Sequence, residues 1–416
     1  MLFLEAFVLF TAVIGLALAA RQFVLAWCVL RSSSCSGNSS SRIMEDCDWP
    51  TVTVLIPAHN EECVIAGSLA AMTALDYPSG KLAILVVNDR SEDGTGRIAE
   101  SFSRRDPRVS VLNRDSAARP GKAAAVADGM ANSASDIIVL FDADYLPPPG
   151  LLKELVLPFD DPEFGATMGR VVPLNSDSNL LTKLLDLERR AGYAADQSGR
   201  ALLGLVPQFG GTVGGIRRSA LHSVGGWNVG HLAEDTDLTF RLVLGGWRVA
   251  YLNEARCHEE VPEDWASRFR QVRRWAYGHN RCLLDHFGAV LRSHHLSIRQ
   301  KLDAVLILAF YAFPVLALLS TFAVIPLLAY GDGHVMSGGG WIVASLFGLA
   351  VIAPHVQVII AARSDGQRHV LRVVPLLFVS SSLSLLASVA GTAFLIRDHL
   401  FGLSFGWDKT RRYRSL

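Results

Sequence analysis

The chain has 416 residues, half of them hydrophobic, and its 39 Lys plus Arg balance 39 Asp plus Glu. No net field favours a nucleic-acid partner, and the apolar residues crowd into the two ends, which argues against a wholly water-soluble enzyme and for membrane at both ends of one soluble domain. Cys28, Cys35, Cys47, Cys63, Cys257 and Cys282 show no CxxC spacing and no accompanying His cluster, so a structural zinc site and a disulfide framework fall away and reduced thiols remain.

Residues 1–30 read as a transmembrane anchor: Leu2 to Leu30 is apolar apart from Glu5, Arg21 and Gln22, long enough to cross a hydrocarbon core of roughly 30 Å. A cleaved signal would carry its basic residues first, whereas here Arg21, Arg31 and Arg42 come late, which places the C-terminal end of the anchor in the cytoplasm. Residues 31–50, rich in Ser, Gly and Asn, read as a linker. The pattern then predicts strands at Val52 to Pro57, Ala83 to Val87, Val109 to Leu112 and Ile137 to Phe141, alternating with helices at Glu61 to Leu75, Gly94 to Ser103 and Lys122 to Ala131. Such alternation implies a parallel sheet of the nucleotide-binding type, with functional residues at the carboxyl ends of its strands.

Two more helices are expected, from Glu234 to about Leu244 and from about Glu263 to Leu284, within a soluble domain of residues 51–286. Residues 287–302 read as an interfacial segment. Asp303 to Tyr330, Trp341 to Ala362 and Val370 to Ile396 read as three transmembrane segments, kinked by Pro314, Pro326, Pro354 and Pro375. The loop 331–340 has no Lys or Arg whereas Arg363, Arg368 and Arg372 follow the next span, so the first loop belongs outside and the second inside. One span before the domain and three after it would leave residues 397–416 outside, yet that tail carries Lys409, Arg411, Arg412 and Arg414. Either one segment is re-entrant or interfacial, or the positive-inside rule fails here.

Asp142-Ala143-Asp144 directly follows the strand ending at Phe141. Two carboxylates leaving a strand end at i and i+2 can hold a hard divalent cation, Mg2+ or Mn2+, with nucleotide phosphates completing its shell, although a polar turn has the same composition. Asn88-Asp89-Arg90-Ser91 and Ile56-Pro57-Ala58-His59-Asn60-Glu61-Glu62 leave two other strands at the same sheet edge, making Ala58, Asp89, Asp142 and Asp144 donor-site candidates. The plainer roles are a helix N-cap for Asn60 and a turn for Asp89. Lys122 follows Gly121 at a helix start and can meet a phosphate, but Ser116 and Ala123 break the Walker A pattern. Glu234 and Asp235 open a helix, where acidic residues are ordinary dipole complements; the functional reading makes Asp235 a general base. Gln271, Arg274 and Trp275 fall at i, i+3 and i+4 on one helix face, suited to a diphosphate and a pyranose. The alternative is a helix lying on the membrane with Arg268, Arg270, Arg273 and Arg281 on lipid headgroups.

The order of Asp89, Asp142 to Asp144, Glu234-Asp235 and Gln271 to Trp275 resembles the membrane-bound family 2 glycosyltransferases, the branch of cellulose, chitin-oligosaccharide, hyaluronan and poly-N-acetylglucosamine synthases. The resemblance implies a GT-A (Rossmann-like) α/β catalytic domain flanked by transmembrane α-helices in a multi-pass protein of the plasma (inner) membrane, its catalytic domain cytoplasmic. It further implies that Asp89 holds the uridine, Asp144 binds the metal, Asp235 is the catalytic base, Gln271 and Arg274 bind the donor, and Trp275 and Glu234 meet the acceptor. Trp407-Asp408-Lys409-Thr410 is similar to that family's Trp-x-Lys-Thr segment. Ala233 stands where polymerising members often have Thr, and Phe209-Gly210-Gly211-Thr212 replaces a Cys-containing acceptor motif. The expected reaction is inverting transfer from UDP-N-acetylglucosamine or UDP-glucose to a growing β-linked glycan, processive and coupled to export. Transfer of a single sugar to a lipid, or a non-catalytic role in an export complex, are the alternatives.

Overall fold

The computed structural model describes residues 2–33, 48–115, 117–330 and 338–403. Most of the expected linker, Ser116, Cys35, Cys47, residues 331–337 and the basic tail with its Trp407-to-Thr410 segment lie outside the described residues. The first apolar run forms one helix, α1 (Leu2–Ser33). After it the β-branched runs become β1 (Val52–Ala58), β2 (Leu82–Asn88), β3 (Val109–Asn113) and β4 (Ile137–Leu140), separated by α2 (Ile65–Thr73), α3 (Thr95–Ser103) and α4 (Lys122–Ala131). These four strands pair in parallel in the order β3-β2-β1-β4. Their register sets Ala58 opposite Asn88 and Asn88 opposite Asn113, so three strands end at one edge.

Beyond β4 the sheet departs from the expected all-parallel form. After α5 (Leu151–Val156) and a short 3-10 turn come β5 (Phe164–Pro173), α6 (Leu180–Arg190), a π-helical stretch at Ala191–Gln197, α7 (Ser198–Leu202), β6 (Gly214–Arg217), α8 (Arg218–Ser223), α9 (Glu234–Leu244) and β7 (Arg248–Glu259). β6 runs antiparallel to both β4 and β5, and β7 pairs in parallel with β5, giving one seven-stranded mixed sheet. The carboxyl ends of β5 and β7 still reach the same edge as those of β1 to β4, and Pro173 faces Glu259 there. Both faces of the sheet are covered. Val54, Ile56, Val139 and Phe141 pack toward α2 and α5, and Leu55, Ile138 and Leu140 pack with Phe209, Phe240 and Cys282.

The carboxyl half is helical. Asp264 caps α10 (Trp265–Arg292) by accepting from the Ser267 N–H at 2.7 Å. The helix outlasts its expected end at Leu284 because Cys282, His286 and Val290 continue a buried stripe at fourfold spacing. The expected span 303–330 is instead two helices, α11 (Ile298–Leu308) and α12 (Phe313–Tyr330), meeting at a 68° bend. Pro314 supplies no N–H and clashes with the carbonyl four residues back, which favours a break at this point, whereas Pro326 and Pro354 are carried inside α12 and α13. α13 (Gly338–Ser364) and, after a 3-10 stretch at Arg368–Leu376 that contains Pro375, α14 (Leu377–Phe401) complete the chain. Among the described residues two segments are long and apolar enough to cross a membrane, Leu2–Ser32 and Leu371–Phe401; the bent pair adds a third if it counts as one span. The described cysteines, Cys28, Cys63, Cys257 and Cys282, are all free thiols.

Candidate active site

The end of β1 and the end of β2 are clasped together. His59 Nδ1 lies 2.7 Å from the Asp89 carbonyl, the Asn60 N–H donates to Ser91 Oγ, and the Glu92 N–H donates to Asn60 Oδ1. Asn60 is therefore a clasp, not the N-cap of α2, whose N-cap is Val64. Asp89 accepts from Arg114 at 2.6 Å, from Arg90 at 2.9 Å and from the Gly121 N–H at 3.0 Å, tying β2, β3 and the start of α4 into one nucleotide-sized corner. Burial works to raise the Asp89 carboxyl, but Arg90, the Gly121 N–H and Arg114 together hold it below the usual carboxylate range.

Lys122, the first residue of α4, reaches Asp142 at 2.5 Å. Burial opposes its charge, yet Asp142 and Glu234 outweigh burial and raise it. Asp144 is buried and accepts from the Glu260 N–H at 3.4 Å, while the Asp142 N–H donates to Thr212 Oγ1. Among the described residues no group of three or more His, Cys, Asp or Glu converges on a metal-sized point. Asp142, engaged by Lys122, and Asp144 leave the strand end two residues apart as all-oxygen donors, a donor set that fits a hard cation such as Mg2+ or Mn2+.

Asp235 sits in the first turn of α9 and accepts from the Thr236 N–H at 2.7 Å. Gly211, at φ +70°, passes so close that a Cβ there would lie 3.0 Å from Asp235 Cβ; a bulkier residue would push the carboxylate away. Burial, with Asp235 beside it, pushes Glu234 up to about 7 against Lys122 and Arg274. Glu234 thus sits among Asp235, Lys122 and Arg274 in the same part of the site. On the other side Gln208 donates to Thr236 Oγ1 at 2.6 Å, which lies 3.5 Å from His279 Nε2; burial keeps His279 below the usual imidazole value.

On α10, Gln271 accepts from Arg268, and the Trp275 ring is flanked by the Arg268 and Arg189 guanidinium groups at 5.2 and 5.5 Å. Arg268 pairs with Glu188 at 2.5 Å and Arg189 with Glu259 at 2.7 Å, and Glu259 also accepts from Tyr145. Burial raises Glu259 despite Arg189. The picture of α10 as a headgroup-binding helix fails for Arg268, which is buried, and for Arg273, which lies over Phe394 of α14. Arg189, Glu188, Glu259, Arg114 and His279 had escaped the sequence reading. For Glu259 the signal was present, as His258-Glu259-Glu260-Val261-Pro262 closes a strand at the active edge.

One cavity of about 1300 Å³ is lined by Ala58, Asp89, Lys122, Asp142, Asp144, Glu234, Asp235, Gln271, Arg274 and Trp275 together. It continues between α12, α13 and α14, past Ala317, Val351, Pro354 and Leu385. The profile of the glycosyltransferase-like family 2 matches residues 50–278. The chain belongs to this family. This family 2 glycosyltransferase is 31% identical over 370 residues to the probable glycosyltransferase YdaM of Bacillus subtilis, with 88% of each chain covered. It is 32% identical over 255 residues to a β-monoglucosyldiacylglycerol synthase of Synechocystis, covering 61% of this chain and 53% of that one, so it spans about half of that relative. The structure of the mannosyltransferase PcManGT from Pyrobaculum calidifontis, in complex with GDP-Man and Mn2+, superposes over 93% of this chain and 99% of its own with a TM-score of 0.56 at 20% identity. The catalytic domain therefore has the GT-A fold, a Rossmann-like mixed sheet with helices on both faces, and the protein is a family 2 enzyme.

Proposed function

We propose that the enzyme transfers one sugar, with inversion, from a UDP-sugar such as UDP-glucose or UDP-N-acetylglucosamine to the hydroxyl of a lipid acceptor. The observation that carries this is the continuity of the cavity from the carboxylates at the sheet edge to the apolar walls of α12, α13 and α14. The Synechocystis relative, named for a glucosylated diacylglycerol, points the same way. In this reading Asp89 and Arg114 shape the nucleotide corner near Ala58, while Lys122, Gln271 and Arg274 face the diphosphate. Asp144, with Asp142, would hold Mg2+ or Mn2+, which when bound neutralises charge on the leaving diphosphate. Asp235 removes the acceptor proton, and Trp275, held flat by two guanidinium groups, supports the sugar face. Replacing Asp235 by Asn is expected to lower kcat by about 10²–10⁴-fold while UDP binding stays unchanged; preserved turnover would remove Asp235 from the role of base. Extension of a β-linked glycan with export is the second reading, because a passage between membrane helices could also house a chain; counting sugars per acceptor separates the two.

The same reading sets the topology. From Ser380 to Asp398, roughly 27 Å of helix, α14 touches the catalytic domain. Ser380 donates to Glu188, Asn280 donates to Thr392 at 2.8 Å, Tyr277 donates to Asp398 at 3.2 Å, and Gly391 lies against the Arg273 carbonyl. A spanning α14 would carry α10 into hydrocarbon with it, together with the exposed charges of Arg281 and Asp285. We infer that α14 lies along the cytoplasmic interface with Phe378, Leu386, Ile396 and Phe401 toward lipid. Then α1 and the bent α11–α12 pair cross, α13, whose apolar part Gly348–Ser364 is shorter than either, returns, the catalytic domain is cytoplasmic, and the basic tail stays on the same side, in keeping with its charge.

A further inference from the structure

Between α12, α13 and α14 the cavity wall mixes apolar side chains such as Phe313, Ala317, Val351 and Leu385 with His355, serine hydroxyls of α14 and one amide of these helices, Gln357 of α13. Gln357 is 5% exposed, lines the cavity, and its Nε2 has no hydrogen-bond partner among the described residues. A buried donor left without an acceptor is costly, so an oxygen entering the cavity beside it is favoured. Charge narrows the ligand further. Apart from Arg274, the guanidinium groups that line the cavity outside the nucleotide corner are each neutralised: Arg21 by Asp196 and Asp303 at 2.6 Å, Arg189 by Glu259 at 2.7 Å, Arg268 by Glu188 at 2.5 Å, and Arg200 by Asp196. Among the described residues, a lipid phosphate between α12, α13 and α14 would therefore meet cations already paired with carboxylates, with Arg274 and Lys122 reserved for the donor end.

We propose that this half of the cavity is a subsite for an uncharged lipid bearing a free hydroxyl. Its acyl part lies between α12, α13 and α14, an ester or ether oxygen accepts from Gln357, and the hydroxyl points toward Asp235. The subsite rests on the transferase reading only for what the hydroxyl is used for. Binding is tested without any UDP-sugar, on the purified full chain, with a diacylglycerol carrying a diazirine in one acyl chain as the photolabel. Label is expected on α13 and α14 residues of the cavity, displaced by excess dioleoylglycerol and not by dioleoylphosphatidic acid. Gln357→Leu and the near-isosteric Gln357→Met are expected to lower labelling about three- to tenfold, with UDP affinity unchanged as the control for folding. Displacement by phosphatidic acid at equal or lower concentration, or label unaffected by both Gln357 variants, would overturn the proposal. Specific labelling with no sugar transferred from any UDP-sugar would instead retain the subsite and sink the transferase reading.

Discussion

Glu234, Lys122 and Arg274 meet in one cavity, and the titration of Glu234 offers a measurable readout. Its ordinary value is 4.5 and burial beside Asp235 pushes it up to about 7. The unfolded chain therefore loses this proton first as pH rises, the folded protein holds it longer, and stability falls across that window. Glu234→Gln is expected to flatten the dependence of Tm on pH between about 5 and 7, while an unchanged slope would show that Glu234 does not carry the effect. Single residues such as Asp144, Asp235 and Trp275 were legible because carboxylates after a strand and a spaced helix face are local patterns. Arg189 and Glu188 were not, since nothing near them in sequence announces that α6 will pack under Trp275. Asp89 was legible as polar, but its three internal partners come from Arg90, Arg114 and Gly121, and only the fold unites them.

Among the elements, the end of α13 is pinned to the catalytic domain. Asp365 accepts from Arg170 of β5 and, at 2.7 Å, from Arg190 of α6, and both Arg170 and Asp365 are nearly inaccessible. Asp365→Ala leaves the Arg170 guanidinium buried and unpaired, which is expected to cost about 3–5 kcal/mol in denaturant unfolding; a change within about 0.5 kcal/mol would contradict the pin. Because α14 is read as interfacial, a cysteine at Ser415→Cys should resist an impermeant maleimide in right-side-out vesicles and react in inverted ones. The opposite pattern would make α14 a true span. β1 to β4 were readable from their β-branched runs. β6 was not, because four residues beginning Gly-Gly carry no pattern and owe their place to close packing: a Cβ on Gly214 would lie 2.5 Å from the Thr167 carbonyl. β5 is interrupted by Gly165 and Gly169, and its pairing with β7 shifts register twice. The break between α11 and α12 was hidden by a continuous apolar composition, with Pro314 its only signal.

At the scale of the whole molecule, the catalytic sheet and the membrane helices form one wall-to-wall cavity, and α1 is part of it. Arg21 of α1 reaches Asp196 in the π-helical stretch and Asp303 of α11, both at 2.6 Å, so the N-terminal helix forms part of the cavity wall instead of serving as a simple tether. Composition located membrane at both ends but could not reveal that these helices line the site. The direct measurement is product analysis with the purified chain, radiolabelled UDP-sugar, dioleoylglycerol and Mn2+. The account expects a single β-linked sugar on each lipid, lost when EDTA removes the metal and lost in Asp235→Asn. A water-soluble polymer, an α-linked product, or turnover indifferent to both treatments would contradict it.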